Sequence, residues 1–424
     1  MATSSSLHLL LFCSLLFPII SLSQAQSFRP KALVLPITKD VSTLQYTTQI
    51  TQRTPPVPTK LTIDLGNDYL WVDCEKDYKS TTKTFIPCRS ARCNLLGPGS
   101  ACTAPPNPSK AICVDFPYNE VIRTSTSGEV AQDKLYIQST NGFYPGRVVS
   151  ISNFIFTCAP SFLLEGLANG VKGIAGLGRT KVSLPSQFAA SFSFTRKFAI
   201  CLNPSDGAII FGNAPYIFNF DMSNSLTYTP LLQNPIGTGG TISEGKPSSD
   251  YFIGVKSIKV NNAKVSLNTT LLSINKEGFG GTKLSTIQPY TVLESSIYKA
   301  VSEAFVKAVN KPTIAPVKPF GTCFASQDIS SSRMGYSVPN IDLVLDSEKV
   351  VWTIMGSNSM VRAGDEAVCL AFVDGGLNRR TSIVLGGFQL ENYLVEFDLA
   401  RSRVGFTSMF LSHTNCANFN FTSV

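Results

Sequence analysis

Twice along this 424-residue chain a short apolar segment runs into a tight turn and is answered, roughly a hundred residues later, by an apolar strand that ends in glycine. The first pair is Leu61-Thr62-Ile63-Asp64-Leu65-Gly66 with Gly173-Ile174-Ala175-Gly176-Leu177-Gly178; the second is Leu284-Ser285-Thr286-Ile287 with Ile383-Val384-Leu385-Gly386-Gly387. A design used twice predicts two similar lobes, each with a turn and a strand crossing beneath it. The strand pattern breaks at Asn213-Ala214-Pro215 and polar residues gather toward Ser225, so the lobes are expected over 26–215 and 216–424. The glycine-rich run 173–178 has neither the spacing nor the strand-helix context of a phosphate loop, and close backbone packing accounts for it better.

Most of the remaining chain reads as short strands rich in β-branched and aromatic residues, divided by Gly, Pro, Asn and Ser. Examples are 60–64, 69–73, 134–138, 151–158, 208–211, 251–260, 350–354, 367–373, 382–385 and 394–398. Helical patterns are few. Residues 183–193 open with a Ser cap and an early Pro, and 295–310 align Ile297, Val301, Ala304, Phe305 and Ala308 on one face. The fold class is therefore mainly β, with few short helices.

Composition narrows the setting. With 43% hydrophobic and 15% charged residues the chain is of globular type. Residues 9–22 are nearly continuously apolar and precede Ser23-Gln24-Ala25, which predicts a secretory signal peptide over 1–25. No later run reaches the roughly 18 apolar residues of a membrane span. Beyond Cys13 of that leader stand Cys74, Cys88, Cys93, Cys102, Cys113, Cys158, Cys201, Cys323, Cys369 and Cys416; in an exported chain this even number predicts disulfides, with the pairing left open by spacing. Two histidines and no close Cys-x-x-Cys argue against a metal site, and no cofactor is expected. Asn268-Thr269-Thr270 and Asn420-Phe421-Thr422 are N-glycosylation acceptors on that route. The formal charge of +8 contains no basic run of five or more, which argues against nucleic acid and leaves an acidic or matrix partner.

The two turns, with Leu70-Trp71-Val72, Ser183-Leu184-Pro185-Ser186-Gln187-Phe188, Val395-Glu396-Phe397-Asp398 and Arg403-Val404-Gly405-Phe406, resemble the bilobal pepsin-like aspartic proteases. That family carries Asp-Thr/Ser-Gly at both turns. Here Leu65 replaces the hydroxyl residue of the first, Ser285 replaces the Asp of the second and Ile287 its Gly. Peptide hydrolysis on that plan needs two carboxylates sharing a proton, so Asp64 alone predicts no enzyme. Asp64 and Ser285 are vestigial dyad positions, and Tyr118 stands a few positions early for a flap tyrosine over 119–133.

Pro289-Tyr290-Thr291, Gly356-Ser357-Asn358-Ser359-Met360, Val373-Asp374-Gly375-Gly376 and Cys416-Ala417-Asn418-Phe419 bring the resemblance closer to the plant branch without protease activity. This branch comprises extracellular dermal glycoprotein, xyloglucan-specific endoglucanase inhibitor proteins, basic 7S globulins and TAXI-type xylanase inhibitors. The resemblance implies disulfides Cys74–Cys158, Cys88–Cys113, Cys93–Cys102, Cys201–Cys416 and Cys323–Cys369. It also implies a secreted protein of the apoplast or cell wall that inhibits a microbial endo-β-1,4-glucanase acting on xyloglucan, or else a xylanase. Arg333 and His413 are the residues it would present to the target's carboxylates. The rival expectation is a wall-associated or storage-type globulin that binds a peptide or polysaccharide and inhibits nothing.

Overall fold

A computed structural model describes residues 28–237 and 246–422, so the signal peptide expected over 1–25 lies outside the described residues. The repeated design is present in both halves. Strand Val57–Asp64 pairs in parallel with Gly173–Gly176, whose other edge runs antiparallel to Trp71–Asp73. Strand Thr282–Leu284 pairs in parallel with Ile383–Leu385, whose other edge runs antiparallel to Thr291–Leu293. The outer partners match as well: Trp71–Asp73 lies parallel to the end of Pro145–Ala159, and Thr291–Leu293 parallel to Phe372–Asp374. Each returning strand passes against backbone. A Cβ at Gly176 would stand 2.3 Å from the Tyr69 carbonyl oxygen, and one at Gly386 2.4 Å from the Tyr290 carbonyl carbon, so glycine is required at both crossings.

A six-strand antiparallel ribbon joins the halves, in the order Ala32–Lys39, Asp206–Gly212, Lys197–Cys201, Tyr393–Asp398, Arg403–Ser408 and Thr227–Leu232. Its two faces follow the period-two alternation of strand side chains. Leu33, Leu35, Phe198, Phe211, Val395 and Phe397 face the main core, while Ala32, Val34, Ala199, Ile210 and Leu394 face Tyr216, Phe218 and Phe419 on the opposite side. Two like halves on a shared ribbon are the bilobal plan that the resemblance implies.

The helical patterns form Leu184–Phe192 and Ser295–Val309. The second opens on Glu294, whose carboxylate accepts the Ser296 N–H at 2.9 Å, and it ends where Asn310 turns left-handed at φ 54°. Ile297, Val301 and Phe305 are buried as the stripe requires, with Ala304 and Ala308 on its rim. Two segments read as single strands are each divided. Residues 251–260 form Tyr251–Ile253 and Ser257–Val260, because the first pairs with Thr282–Leu284 and the second leaves for Ile341–Val344. Residues 367–373 likewise divide between Ala367–Leu370 and Phe372–Asp374, which serve different partners.

The disulfides are Cys74–Cys158, Cys88–Cys102, Cys93–Cys113, Cys201–Cys416 and Cys323–Cys369. The expected Cys88–Cys113 and Cys93–Cys102 pairs are thereby corrected. Burial explains the exchange. Cys93 and Cys113, 4% and 0% exposed, both point into a core with Trp71, Ile86 and Leu96, whereas Cys88 is half-buried and Cys102 exposed. Although Cys102 lies directly across the ladder from Cys113, the exposed Cys102 joins Cys88 and the buried Cys113 joins Cys93.

Candidate functional site

The turns that carry Asp64 and Ser285 meet where the lobes join. Asp64 is 3% exposed, and its Oδ1 accepts the Gly66 N–H at 2.8 Å. Ser285 plays the same local part in the second turn, its hydroxyl oxygen accepting the N–H groups of Ile287 and Gln288, each at 3.2 Å. The serine therefore holds a turn that an aspartate would otherwise brace. Between the turns, the Leu65 N–H donates to the Thr286 hydroxyl at 3.2 Å, and that hydroxyl donates to the Ile63 carbonyl at 2.8 Å. A symmetric pair of turns would return the favour from position 65. Leu65, fully buried, has no hydroxyl to do so and packs into the core instead.

Three side chains unanticipated from the sequence fill the space above Asp64. Lys283 projects from the middle of strand Thr282–Leu284, 7% exposed, with Nζ 3.0 Å from Glu120 Oε1 and 3.6 Å from Asp250 Oδ1. Asp250 lies so close over the first turn that a Cβ at Gly66 would meet its Oδ1 at 2.0 Å. The one available signal was the lysine itself, set in a strand that is buried on both sides. Burial opposes its charge, but Asp250 and Glu120 outweigh burial and hold the ammonium protonated well above the ordinary lysine range. Burial, with Glu120 and then Asp250 beside it, pushes Asp64 up to about 7, against the opposing pull of the Gly66 N–H and Lys283. The small cavity that remains, about 80 Å³, is lined by Asp64, Tyr118, Glu120, Asp250 and Lys283 among others. It has room for a handful of waters.

The flap hairpin is Tyr118–Asn119 paired with Thr124–Ser125, not the stretch 119–133, because the strand Gly128–Thr140 has already begun by then. Trp71 Nε1 donates to the Tyr118 carbonyl at 3.2 Å, and Asn67 Nδ2 donates to the same oxygen at 2.9 Å.

Arg333 and His413 lie away from this cleft. Arg333 caps the hairpin Ser331–Ser332 with Gly335–Tyr336, exposed, and its guanidinium makes no hydrogen bond or ion pair within the described residues. The hairpin is firmly seated: the Ser357 N–H donates to the Met334 carbonyl at 3.0 Å, and a Cβ at Gly335 would stand 2.3 Å from that same nitrogen. His413 is exposed in a left-handed turn at φ 55°, two residues after Leu411, which is 68% exposed. Its turn is tied by Ser412 and Thr414 N–H groups to the Met409 carbonyl and by the Thr414 hydroxyl to the Phe218 carbonyl. The supports of the two loops converge. Asn358, next to Ser357, donates to the Glu391 carbonyl at 2.9 Å, and the Met409 N–H donates to the Asn392 carbonyl at 2.9 Å. Asn268 is exposed and Asn420 half-buried, and each accepts both the N–H and the hydroxyl of the threonine two residues on.

Family models for the N-terminal and C-terminal parts of xylanase inhibitors match residues 46–213 and 250–408. A Nicotiana benthamiana protein named "Probable aspartic proteinase GIP2" is 56% identical over 438 residues, covering 100% of both chains. Among solved structures, one described as "edgp" superposes with a TM-score of 0.90 at 57% identity, over 94% of this chain and all of that one. An aspartic proteinase from Irpex lacteus, at 15% identity and a TM-score of 0.55 over 92% of this chain and all of that one, shares the fold alone.

Proposed function

Because this chain belongs to the xylanase-inhibitor family of pepsin-like proteins, we propose that it inhibits a microbial cell-wall glycoside hydrolase by inserting second-lobe loops into the target's cleft. A xyloglucan-specific endo-β-1,4-glucanase is the favoured target class, and a xylanase the next. The protein cleaves no peptide, since the position related to Asp64 by the internal repeat holds Ser285, whose hydroxyl is spent on its own turn. It acts outside the cell, in the apoplast or wall, a setting that the five disulfides suit.

The observation that carries this reading is Arg333. A guanidinium without a hydrogen bond or ion pair among the described residues, on a hairpin fixed against Gly356–Ser359, is a cation held ready for a partner. Retaining glycosidases hold two carboxyl groups about 5 to 5.5 Å apart across the scissile bond. A planar guanidinium entering between them forms paired charge-assisted hydrogen bonds. His413, braced on the neighbouring Glu391–Asn392 backbone and accompanied by exposed Leu411, supplies the second arm of the plug.

The test is Arg333→Ala against a sensitive endoglucanase. An exposed hairpin charge adds little to folding, so the variant should secrete and unfold as the wild type does, while inhibition weakens by roughly 2 kcal/mol or more, about thirtyfold. An unchanged inhibition constant would remove Arg333 from the interface. A protein that binds xyloglucan or peptide but slows no glycanase would support the storage or wall-binding alternative.

A further inference from the structure

We propose that the hairpin Tyr118–Ser125 is a lid latched shut over the vestigial cleft by the Glu120–Lys283 ion pair, which closes this cleft to polypeptides.

In a cleft that admits a chain, such a hairpin has to lift. Here each part of it is fastened. The Tyr118 carbonyl takes two donors from the cleft floor, Asn67 Nδ2 and Trp71 Nε1. The Asn119 side chain, 0% exposed, donates to the carbonyls of Leu163 at 2.9 Å and Glu165 at 3.0 Å, and its Oδ1 accepts the Val121 N–H at 2.9 Å. Val121 leaves no room behind it, since a Cβ at Gly166 would meet its Cγ1 at 2.8 Å. These contacts all lie within the first lobe. Glu120, at the bend, crosses to the second, reaching Lys283 over 163 positions of sequence with side chains 19% and 8% exposed.

The latch also explains why a lysine occupies a buried strand. Without Glu120 its charge would lose its hydrogen-bonded partner and keep only Asp250 and Asp64 nearby, and without Lys283 the carboxylates of Glu120, Asp250 and Asp64 would face one another in a cavity holding a handful of waters. Removing either end therefore frees the bend and leaves a buried charge short of its partner. The closed lid and the filled floor direct any macromolecular partner to the outer surface.

Amide hydrogen exchange of the intact secreted protein, read by mass spectrometry over 116–127, tests the latch in a double-mutant cycle of E120Q, K283M and the pair. Glu120→Gln should speed exchange in this segment about tenfold while Gly128–Thr140 and Pro145–Ala159 keep their protection. In the Lys283→Met background the same change should add less than twofold, because the partner is already gone. Exchange in E120Q within twofold of the wild type, or an equal acceleration in both backgrounds, overturns the proposal. Should K283M fail to secrete, K283R replaces it: a lid as protected as the wild type beside a fast E120Q supports the latch, and a lid as fast in K283R as in E120Q overturns it.

Discussion

Asp64→Asn should make the protein more stable at neutral pH and leave it unchanged in acid. In the folded chain the Asp64 carboxyl is pushed up to about 7, by burial first and by Glu120 next, whereas in an unfolded chain an aspartate titrates near 3.9. Between about pH 4 and 7 the native state thus keeps a proton that the unfolded state has released, and stability falls as pH rises through that window. Above it the full penalty is present, and below it none. A difference of roughly 3 pKa units at ~1.4 kcal/mol each sets a ceiling of ~4 kcal/mol, which relaxation around a buried charge reduces toward ~2. Asparagine keeps an oxygen for the Gly66 N–H and cannot ionise, so it removes the penalty alone. Urea unfolding between about pH 4 and 8, with disulfides intact, reads the effect through Trp71 and Trp352, both fully buried. Variant and wild type should coincide near pH 4 and separate by about 2–4 kcal/mol at pH 8, the variant being the more stable. Parallel stability profiles across the range would refute the electrostatic reading of the cleft.

Two further outcomes follow from the same arrangement. Ser285→Asp alone should yield no pepstatin-sensitive cleavage of a denatured protein at acidic pH, because Leu65, Ile287 and the Lys283–Glu120–Asp250 group still occupy the cleft; measurable turnover would show the site to be one substitution from function. His413→Gln should weaken glycanase inhibition several-fold while unfolding as the wild type does, because an exposed loop side chain adds little to folding; an unchanged inhibition constant would remove His413 from the interface.

The architecture was legible because it depends on patterns that repeat. The paired turns with their answering glycine strands, the period-two alternation of the joining ribbon and the stripe of Ser295–Val309 are all local regularities, and each has a counterpart in the fold. What escaped was set by three-dimensional neighbours. Cys88, Cys93, Cys102 and Cys113 lie within 26 residues of one another, and the pairing follows burial, the two buried sulfurs joining each other and the two more exposed ones doing the same. Lys283 and Glu120 come from segments 163 residues apart, so their attraction leaves no mark on either segment alone. The lysine was nonetheless visible as a charge in a buried strand, an inconsistency whose explanation lay on the opposite lobe. Asp64 and Ser285 were legible as positions, but not the carboxylate over Gly66 that closes the space above them.

Whether this protein acts by plugging a glycanase is decided by titrating purified xyloglucan-specific endoglucanases and xylanases of microbial origin with the wild-type protein. At least one of them should lose activity stoichiometrically, through a complex in which the target's cleft is no longer open to oligosaccharide. Full activity of every enzyme at saturating protein, with no complex formed, would contradict it.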